Sequence, residues 1–293
     1  MMDNKKSYMR LSIITVTYNN YEGLKNTIAS IAQQTSKEFE YIVVDGASSD
    51  NTLNLIKNNA NVITKWISEP DSGIYNAMNK GVRMASGDYC LFMNAGDMLF
   101  SPTTVEEIYK ENLNVDFIEG RISFNTTGKL SNPIPNRTLF TYLYGINNNH
   151  QASLISRKLL LEIPYDESYK IAADMKFNIE AIICNNCSFK TIGTIICNYE
   201  VGGRSATVKH KNEVDRIYKE LFPERVLIDY DNLRYHRFWP ASILWNLTYK
   251  VAHIVWPYKL KIMIKKLLGK GVSEYDKNRI EEMKTWKLKN LLI

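Results

Sequence analysis

Polar side chains with ligand-binding chemistry follow three of the apolar runs in the first hundred residues of this 293-residue chain. Tyr18 ends the first run, Asp45 follows the second, and Asn94 with Asp97 follows the fourth. Carboxylate oxygens bind hard divalent cations such as Mg²⁺ or Mn²⁺, which can neutralise a phosphate leaving group. Asp, Asn and Gly also crowd ordinary loops, so a plain loop is the alternative interpretation. Because such side chains recur at the ends of three runs, a ligand site is favoured.

The elements that must position these side chains alternate between strand and helix. The apolar runs predict strands at 11–18, 41–44, 62–67 and 89–93. Helical spacing predicts helices at 22–33, after Asp50 and from Ile74. This alternation predicts an α/β fold with a mostly parallel central sheet and flanking helices. Ligands bind beyond the carboxyl ends of the strands in such sheets, which is where the polar residues fall.

The second half of the sequence is less regular. Residues 121–149 are rich in turn-forming residues and predict a long loop region. A short strand opened by His150, a helix over 171–183 and a strand over 191–199 follow. After the pair of glycines at 202–203 we expect the domain boundary. The predicted division is a catalytic domain at 1–207 and a helical C-terminal extension at 208–293.

Composition and charge exclude several classes of protein. An apolar fraction of 45% excludes intrinsic disorder. The net charge of +6 is concentrated in residues 234–270, which hold eight Lys or Arg and no acidic residue, leaving 29 basic against 31 acidic residues elsewhere. The four cysteines, including the pair Cys184 and Cys187, are interpreted as thiols of a reducing compartment. With no signal-peptide core and no apolar run of about 18 residues, a cytoplasmic protein is expected.

Five sequence segments carry a resemblance to a known family. The segments read SIITVTYN at 12–19, VVDGASSD at 43–50, SEPDSGIYNAMNKG at 68–81, ASGDY at 85–89 and FMNAGD at 92–97, with weaker similarity to about Gly203. In this order and spacing they resemble family 2 glycosyltransferases of bacterial polysaccharide biosynthesis. The resemblance implies a GT-A fold and transfer of a sugar, with inversion, from a nucleotide-sugar donor, a UDP-sugar being favoured.

The resemblance implies a metal site at the end of the fourth strand. The family carries a D-x-D motif there, and this sequence has Asn94 in the place of its first aspartate and Gly96 in the place of its last. Asp97 is then the expected ligand of a divalent cation, Mg²⁺ or Mn²⁺, and Asn94 is expected near the ribose or diphosphate. The alternative for Asp97 is a cap on the helix that begins near Pro102.

The resemblance also implies residues that hold the nucleotide. The backbone around Val16 and the ring of Tyr18 are expected at the base, and Asp45 is expected at the base or ribose. Asp71 and Gly73 precede a helix whose N-terminus could face the diphosphate. A simple turn at residues 70–73 is the alternative for that pair.

An inverting transfer needs a base for the acceptor hydroxyl, and the resemblance places it at Asp174. The alternative is an ordinary acidic residue in the first turn of a helix. His150 matches a family position that borders the donor phosphates or the acceptor, although a lone histidine is often structural. Arg204, in the loop at 202–205, could close over the donor, or the loop could be a plain connection.

Aromatic and basic residues alternate near the C-terminus. Residues 234–270 include Trp239, Trp245 and Trp256 beside the eight basic residues. Such a segment suits the surface of an anionic membrane, or it could pack on the catalytic domain with its lysines outward. The family resemblance implies a glycan or lipid-linked saccharide acceptor. We expect a cytoplasmic protein, which the first alternative would place at the inner face of the cytoplasmic membrane. The charge lies beside Trp and Leu, so a nucleic-acid partner is disfavoured.

Two further functions compete with glycosyl transfer in this sequence. The altered D-x-D motif suggests a catalytically impaired protein that binds nucleotide-sugars or docks a partner. A nucleotidyltransferase is the weaker alternative, because no glycine-rich phosphate loop follows the first strand.

Overall fold

A computed structural model of the protein describes residues 11–124, 127–143, 145, 147–199 and 211–235. Within these residues, eight strands form one sheet with the order β3-β2-β1-β4-β7-β6-β8-β5. The strands are β1 Leu11–Thr17, β2 Phe39–Asp45, β3 Lys65–Ser68, β4 Tyr89–Phe92, β5 Met98–Leu99, β6 Phe117–Phe124, β7 Ser153–Ser156 and β8 Phe189–Tyr199. The helices are α1 Tyr21–Ala32, α2 Thr52–Asn58, α3 Ile74–Met84, α4 Thr104–Lys110, α5 Leu139–Leu143, α6 Arg157–Glu162, α7 Ala173–Ile179, α8 Lys211–Leu221 and α9 Glu224–Tyr235.

The first half of the sheet is parallel, as the alternating pattern predicts. β1 pairs with β2 and β4, and β2 pairs with β3, all in parallel. Every residue of β1 and of β4 is buried, because helices cover both faces of this part of the sheet. The four predicted strands are confirmed here, and the third lies at Lys65–Ser68 rather than at 62–67.

The second half of the sheet is mixed. β7 is antiparallel to both β4 and β6, β6 is parallel to β8, and β5 is antiparallel to β8. The prediction of a loop from residue 121 is wrong at its start, because β6 extends to Phe124. Gly120 and Arg121 interrupt the apolar pattern of this strand and obscure its period. His150 lies in a short 3₁₀ helix, His150–Ala152, directly before β7 and does not open that strand.

Local sequence determines where the helices of the first half begin. The side chain of Asn20 accepts a hydrogen bond from the backbone N–H of Gly23 and caps α1. Leu24, Ile28 and Ile31 are buried on one face of α1, at the predicted helical spacing. α1 follows the end of β1, so it helps to define the edge of the sheet where the polar residues lie.

The compact unit that contains the sheet ends at Leu227, beyond the boundary expected at residue 207. The described part of the C-terminal extension is helical and consists of α8 and α9. The loop at 202–205, and all but the first two residues of the basic segment at 234–270, lie outside the described residues. In the part of the chain that the structure describes, no helix is long and apolar enough to cross a membrane.

Candidate active site

The carboxyl ends of the parallel strands meet at one edge of the sheet. Thr17 pairs with Asp45, and Asp45 pairs with Ser68. The chain after β4 continues along β1, because the N–H of Ala95 donates to the carbonyl of Val16 at 3.2 Å. Val16 itself is buried, and the hydrogen bond to its carbonyl aligns the loop after β4 with the loop after β1. We call residues 16–18, 45–46, 71–73 and 94–97 the strand-end edge.

An exposed aromatic ring lies at the strand-end edge. Tyr18 is 61% exposed, and its ring lies beside the backbone of Gly46. A Cβ at position 46 would overlap Asp71 Oδ2 and come within 3.3 Å of the Tyr18 ring. Gly46 therefore allows Tyr18 and Asp71 to approach each other. Thr17, which was not among the expected site residues, also lies here, and its buried Oγ1 has no hydrogen-bond partner in the described part of the chain.

Asp45 differs from the expectation that it contacts base or ribose. Its side chain is fully buried. One carboxylate oxygen accepts from the backbone N–H of Ser48 at 3.1 Å and from the hydroxyl of Ser68 at 2.6 Å. The other accepts from the Ser48 hydroxyl. In this structure the carboxylate therefore holds the loop after β2 by hydrogen bonds, and its burial keeps it from a ligand.

The Asp71 turn has the geometry of the simpler alternative. Asp71 Oδ1 accepts a hydrogen bond from the backbone N–H of Gly73 at 2.9 Å. Gly73 has φ = 140°, which favours glycine, and no side chain caps the N-terminus of α3 at this residue. The turn therefore leaves backbone N–H groups of the first turn of α3 available to an anion.

Asn94 and Asp97 lie in the loop between β4 and β5. Asp97 is 8% exposed, and Thr103 is the N-cap residue of α4. Asn94 Oδ1 is buried and has no hydrogen-bond partner within the described residues. The described chain has no group of three or more His, Cys, Asp or Glu that could hold a metal ion. Asp97 is therefore the carboxylate that this loop offers to a cation.

Asp174 lies in the first turn of α7, where three groups contact it. The Tyr75 hydroxyl lies 3.0 Å from Oδ1, which also accepts from the Met175 backbone N–H at 2.9 Å. His150 Nδ1 lies 3.3 Å from Oδ2. We call Tyr75, His150 and Asp174 the Asp174 cluster. The carboxylate side chain is 23% exposed, so a second reactant can reach it.

The pKa values of the Asp174 cluster are shifted in opposite directions. Burial alone raises the pKa of the Asp174 carboxyl, but His150, Tyr75 and the Met175 N–H outweigh it and hold that pKa below its ordinary value. Burial alone lowers the pKa of His150, but Asp174 and the charge of Asp97 raise it above its ordinary value. Burial, with Asp174 nearby, raises the pKa of Tyr75, which remains a neutral hydroxyl.

His150 connects the Asp174 cluster to the strand-end edge. Its Nε2 lies 3.1 Å from Asn94 Nδ2, on the opposite side of the ring from Asp174. In the neutral ring, Nδ1–H donates to Asp174 and Nε2 accepts from Asn94. The structure therefore brings together Asn94, His150 and Asp174, which are far apart in the sequence. Tyr75 was missed, although it lies inside the SEPDSGIYNAMNKG segment.

A buried ion pair holds the loop that leads into His150. Arg137 contacts both carboxylate oxygens of Glu119 at 2.8 and 3.0 Å, with side chains only 3% and 4% exposed. Arg137 also donates to the carbonyl of Asn147 at 3.3 Å, and the Tyr142 hydroxyl donates to the side chain of Asn148 at 2.7 Å. Burial raises the pKa of Glu119 more than Arg137 lowers it. These contacts hold the turn-rich segment before His150 in place.

Comparison with known proteins identifies the family. The family described as Glycosyl transferase family 2 matches residues 12–151. An uncharacterized glycosyltransferase of Mycobacterium tuberculosis is 31% identical over 201 residues, 66% of this chain and 76% of the relative. The chain belongs to glycosyltransferase family 2. The predicted resemblance is thereby confirmed.

Two further relatives of this glycosyltransferase have more specific names. The PGL/p-HBAD biosynthesis glycosyltransferase of Mycobacterium bovis is 31% identical over 218 residues, 70% of this chain and 83% of the relative. The poly(ribitol-phosphate) beta-N-acetylglucosaminyltransferase TarP of Staphylococcus aureus is 29% identical over 203 residues, 62% of this chain and 60% of the relative. Both are glycosyltransferases, as is this protein.

Solved structures confirm the GT-A fold. Staphylococcus aureus TarS 1-349 in complex with UDP-GlcNAc has a TM-score of 0.60 at 20% identity, covering 77% of this chain and 70% of that chain. The mannosyltransferase PcManGT of Pyrobaculum calidifontis, in complex with GDP-Man and Mn²⁺, has a TM-score of 0.52 at 16% identity, covering 69% of this chain and 59% of that chain. At these identities the likeness shows the fold alone.

Proposed function

We propose that this glycosyltransferase moves a sugar from a UDP-sugar donor to a glycan or lipid-linked saccharide, with inversion at the anomeric carbon. The observation that carries the proposal is the position of Asp174. It is a partly exposed carboxylate of low pKa, joined through His150 to the loop of Asn94 and Asp97. An inverting transfer needs a base beside the donor, and this arrangement supplies one.

Asp174 acts as the base in the proposed reaction. As an acceptor hydroxyl attacks the anomeric carbon, its proton passes to the Asp174 carboxylate, and the bond from that carbon to the diphosphate oxygen breaks. The low pKa keeps the carboxylate ionised at neutral pH. Tyr75 and His150 orient it by hydrogen bonds, which limits the reorganisation needed in the transition state.

The strand-end edge is the proposed nucleotide site. The exposed ring of Tyr18 can stack on a nucleobase, and the unpaired Thr17 hydroxyl can bond its edge. Asp71 can reach the ribose from beside Gly46, and the N-terminus of α3 after Gly73 can face the diphosphate. Asp45 is assigned to hold the loop after β2. The UDP-GlcNAc complex of TarS supports a UDP-sugar as the donor.

The loop after β4 fits a divalent cation that binds together with the donor. Mg²⁺ often uses one or two protein carboxylates and completes its shell with phosphates and water, so Asp97 suffices. Asn94, with its unpaired amide oxygen, is assigned to the ribose or diphosphate. When bound, the cation neutralises the departing diphosphate. The Mn²⁺ in the PcManGT complex supports this assignment.

The acceptor and its location are proposed from the relatives and from the basic segment. TarP is named for transfer of N-acetylglucosamine to poly(ribitol-phosphate), and the other relative for PGL/p-HBAD biosynthesis, which supports a glycan or lipid-linked acceptor. The aromatic and basic segment at 234–270 suits a peripheral position on an anionic membrane. Binding to anionic vesicles that weakens with salt and with deletion of residues 234–293 would support it, and no binding at low salt would contradict it.

A donor panel tests the proposed function. UDP-GlcNAc, UDP-glucose and GDP-mannose are compared by thermal shift and by release of nucleoside diphosphate, with Mg²⁺, Mn²⁺ or a chelator. A UDP-sugar at 100 times its Kd is expected to stabilise the fold by about 2.7 kcal/mol. Turnover should require the cation. Stabilisation without turnover would favour the binding-protein alternative, and neither effect with any donor would contradict the proposal.

A further inference from the structure

The helix that carries Asp174 has an alanine at its N-cap. The side chain of Ala172 cannot accept a hydrogen bond, and within the first turn the Met175 N–H donates to Asp174 Oδ1. The backbone N–H groups that lead into a helix also need acceptors. For residues 170–172 the acceptor comes from another part of the chain.

Glu213 of α8 supplies this acceptor. Its Oε1 accepts from the backbone N–H of Lys170 at 2.8 Å. Its Oε2 accepts from the N–H groups of Ile171 and Ala172, both at 3.0 Å. One carboxylate thus binds three successive N–H groups of the segment that leads into α7, close to the positive end of that helix, where a negative charge is favourable.

The same short segment is also bound from the side of α3. The Tyr75 hydroxyl donates to the carbonyl of Ile171 and lies 3.0 Å from Asp174 Oδ1. Ile171 is therefore held through its N–H by Glu213 and through its carbonyl by Tyr75. A displacement of this residue would move both the start of α7 and the hydroxyl that orients Asp174.

Other contacts hold α8 in place without Glu213. Glu220 pairs with Lys176 at 2.9 Å and accepts from the Tyr169 hydroxyl at 2.8 Å. The Tyr218 hydroxyl donates to the carbonyl of Tyr142 at 2.7 Å. These contacts join α8 to side chains and to another loop, whereas Glu213 alone among them binds the backbone before Asp174. Removing its carboxylate should thus release the start of α7 while α8 stays docked.

We propose that Glu213 is a positioning residue for the base Asp174, an inference that rests on the proposed function. It lies outside the residues matched to the family and beyond the boundary expected from the sequence. Its role is to hold residues 170–172 so that the Asp174 carboxylate meets the acceptor hydroxyl. A displacement of about 1 Å at a reacting group can lower a rate about 10²-fold.

Kinetics test the positioning role. Glu213→Ala is expected to lower kcat by about 10- to 100-fold, with the donor KM and UDP affinity within about twofold of wild type. Glu213→Gln keeps one acceptor oxygen and should recover part of kcat. Glu220→Gln, on the same helix, is the control and should keep kcat near wild type. Equal losses of kcat in Glu213→Ala and Glu220→Gln would overturn the proposal, because general loosening of α8 would then explain both.

Hydrogen exchange provides a measurement that needs no turnover. The amides of residues 170–172 should exchange faster in Glu213→Ala than in wild type, and Glu220→Gln should leave them protected. Unchanged exchange would overturn the proposal, and so would faster exchange with unchanged kcat. If the wild-type protein turns over no donor, the proposed function fails by itself, and the exchange result still decides whether Glu213 holds the start of α7.

Discussion

The strand-end edge and the Asp174 cluster are built by different kinds of contact. At the strand-end edge, neighbouring parallel strands in register bring Val16, Asp45 and the loop after β4 together through backbone hydrogen bonds. In the Asp174 cluster, side chains from α3, the 3₁₀ helix before β7 and α7 meet, and α8 supports them. The first region follows from sheet topology, and the second depends on individual side-chain contacts.

Substitutions in the two regions should therefore have different effects. Tyr18 is exposed at the strand-end edge, so its replacement should change binding and leave the fold intact. The residues that support the Asp174 cluster are buried or joined over long sequence distances, so their replacement should change rate or stability.

Asp174→Asn should lower kcat most. General-base catalysis contributes about 10² to 10⁴-fold, and the amide cannot accept the proton. UDP affinity should stay unchanged, because the strand-end edge is intact. Steady-state kinetics and UDP titration measure both, with Asp116→Asn as the matched control, since the Asp116 carboxylate accepts hydrogen bonds from Ser188, away from the Asp174 cluster. A kcat near that of wild type would remove Asp174 from the role of base.

Arg137→Ala should destabilise the fold. It leaves the Glu119 carboxylate buried without its ion pair, which costs about 3–5 kcal/mol in proteins. Urea unfolding measures the change in the free energy of unfolding. Lys110→Ala, which breaks an exposed pair with Glu106, is the control and should change the free energy of unfolding little. Similar losses in both variants would show that the buried pair adds no special support to the loop before His150.

Tyr18→Ala should weaken binding of UDP by about 1–3 kcal/mol, the range for stacking of a base on an aromatic ring. Tyr18→Phe keeps the ring and should bind nearly as well as wild type. Stability should not change, because the side chain is 61% exposed. Isothermal titration with UDP measures the affinity, and an unaltered Kd in Tyr18→Ala would place the base elsewhere.

The smallest effect is a change in the pKa of His150. Burial lowers this pKa, and Asp174 with Asp97 raises it above its ordinary value of about 6.5. Asp174→Asn removes one of the raising charges, so the pKa should fall. The chain has four histidines, and NMR titration of their ring protons can follow each one. An unchanged His150 pKa would mean that the two side chains do not interact in solution.

The signs of these shifts also define a pH window for stability. A raised His150 pKa contributes stability below its unfolded value of about 6.5, and this is lost as pH rises through the folded pKa. A lowered Asp174 pKa contributes stability above its unfolded value of about 3.9, and this is lost as pH falls through the folded pKa. The pair should therefore support the fold most between these limits.

Much of the first half of the fold was predictable from the sequence. Short apolar strands alternating with helices indicate parallel pairing, and the family segments lie at the strand ends, so the GT-A fold and the position of the strand-end edge follow. The burial of Asp45 was not predictable, because Ser48 and Ser68 occupy its oxygens only once two loops meet. The strand at residues 121–124 was missed, because glycine and arginine interrupt its pattern.

Residue order and short-range periodicity are enough to identify the family, the alternation of elements, Asp174 at its motif position and Asp97 directly after the altered D-x-D motif. Only the tertiary structure decided that Tyr75, His150 and Glu213 converge on the segment around Asp174. Those contacts join residues 24 to 99 positions apart. Local pattern carries no information on such distances, because the packing of helices on the sheet sets which side chains meet.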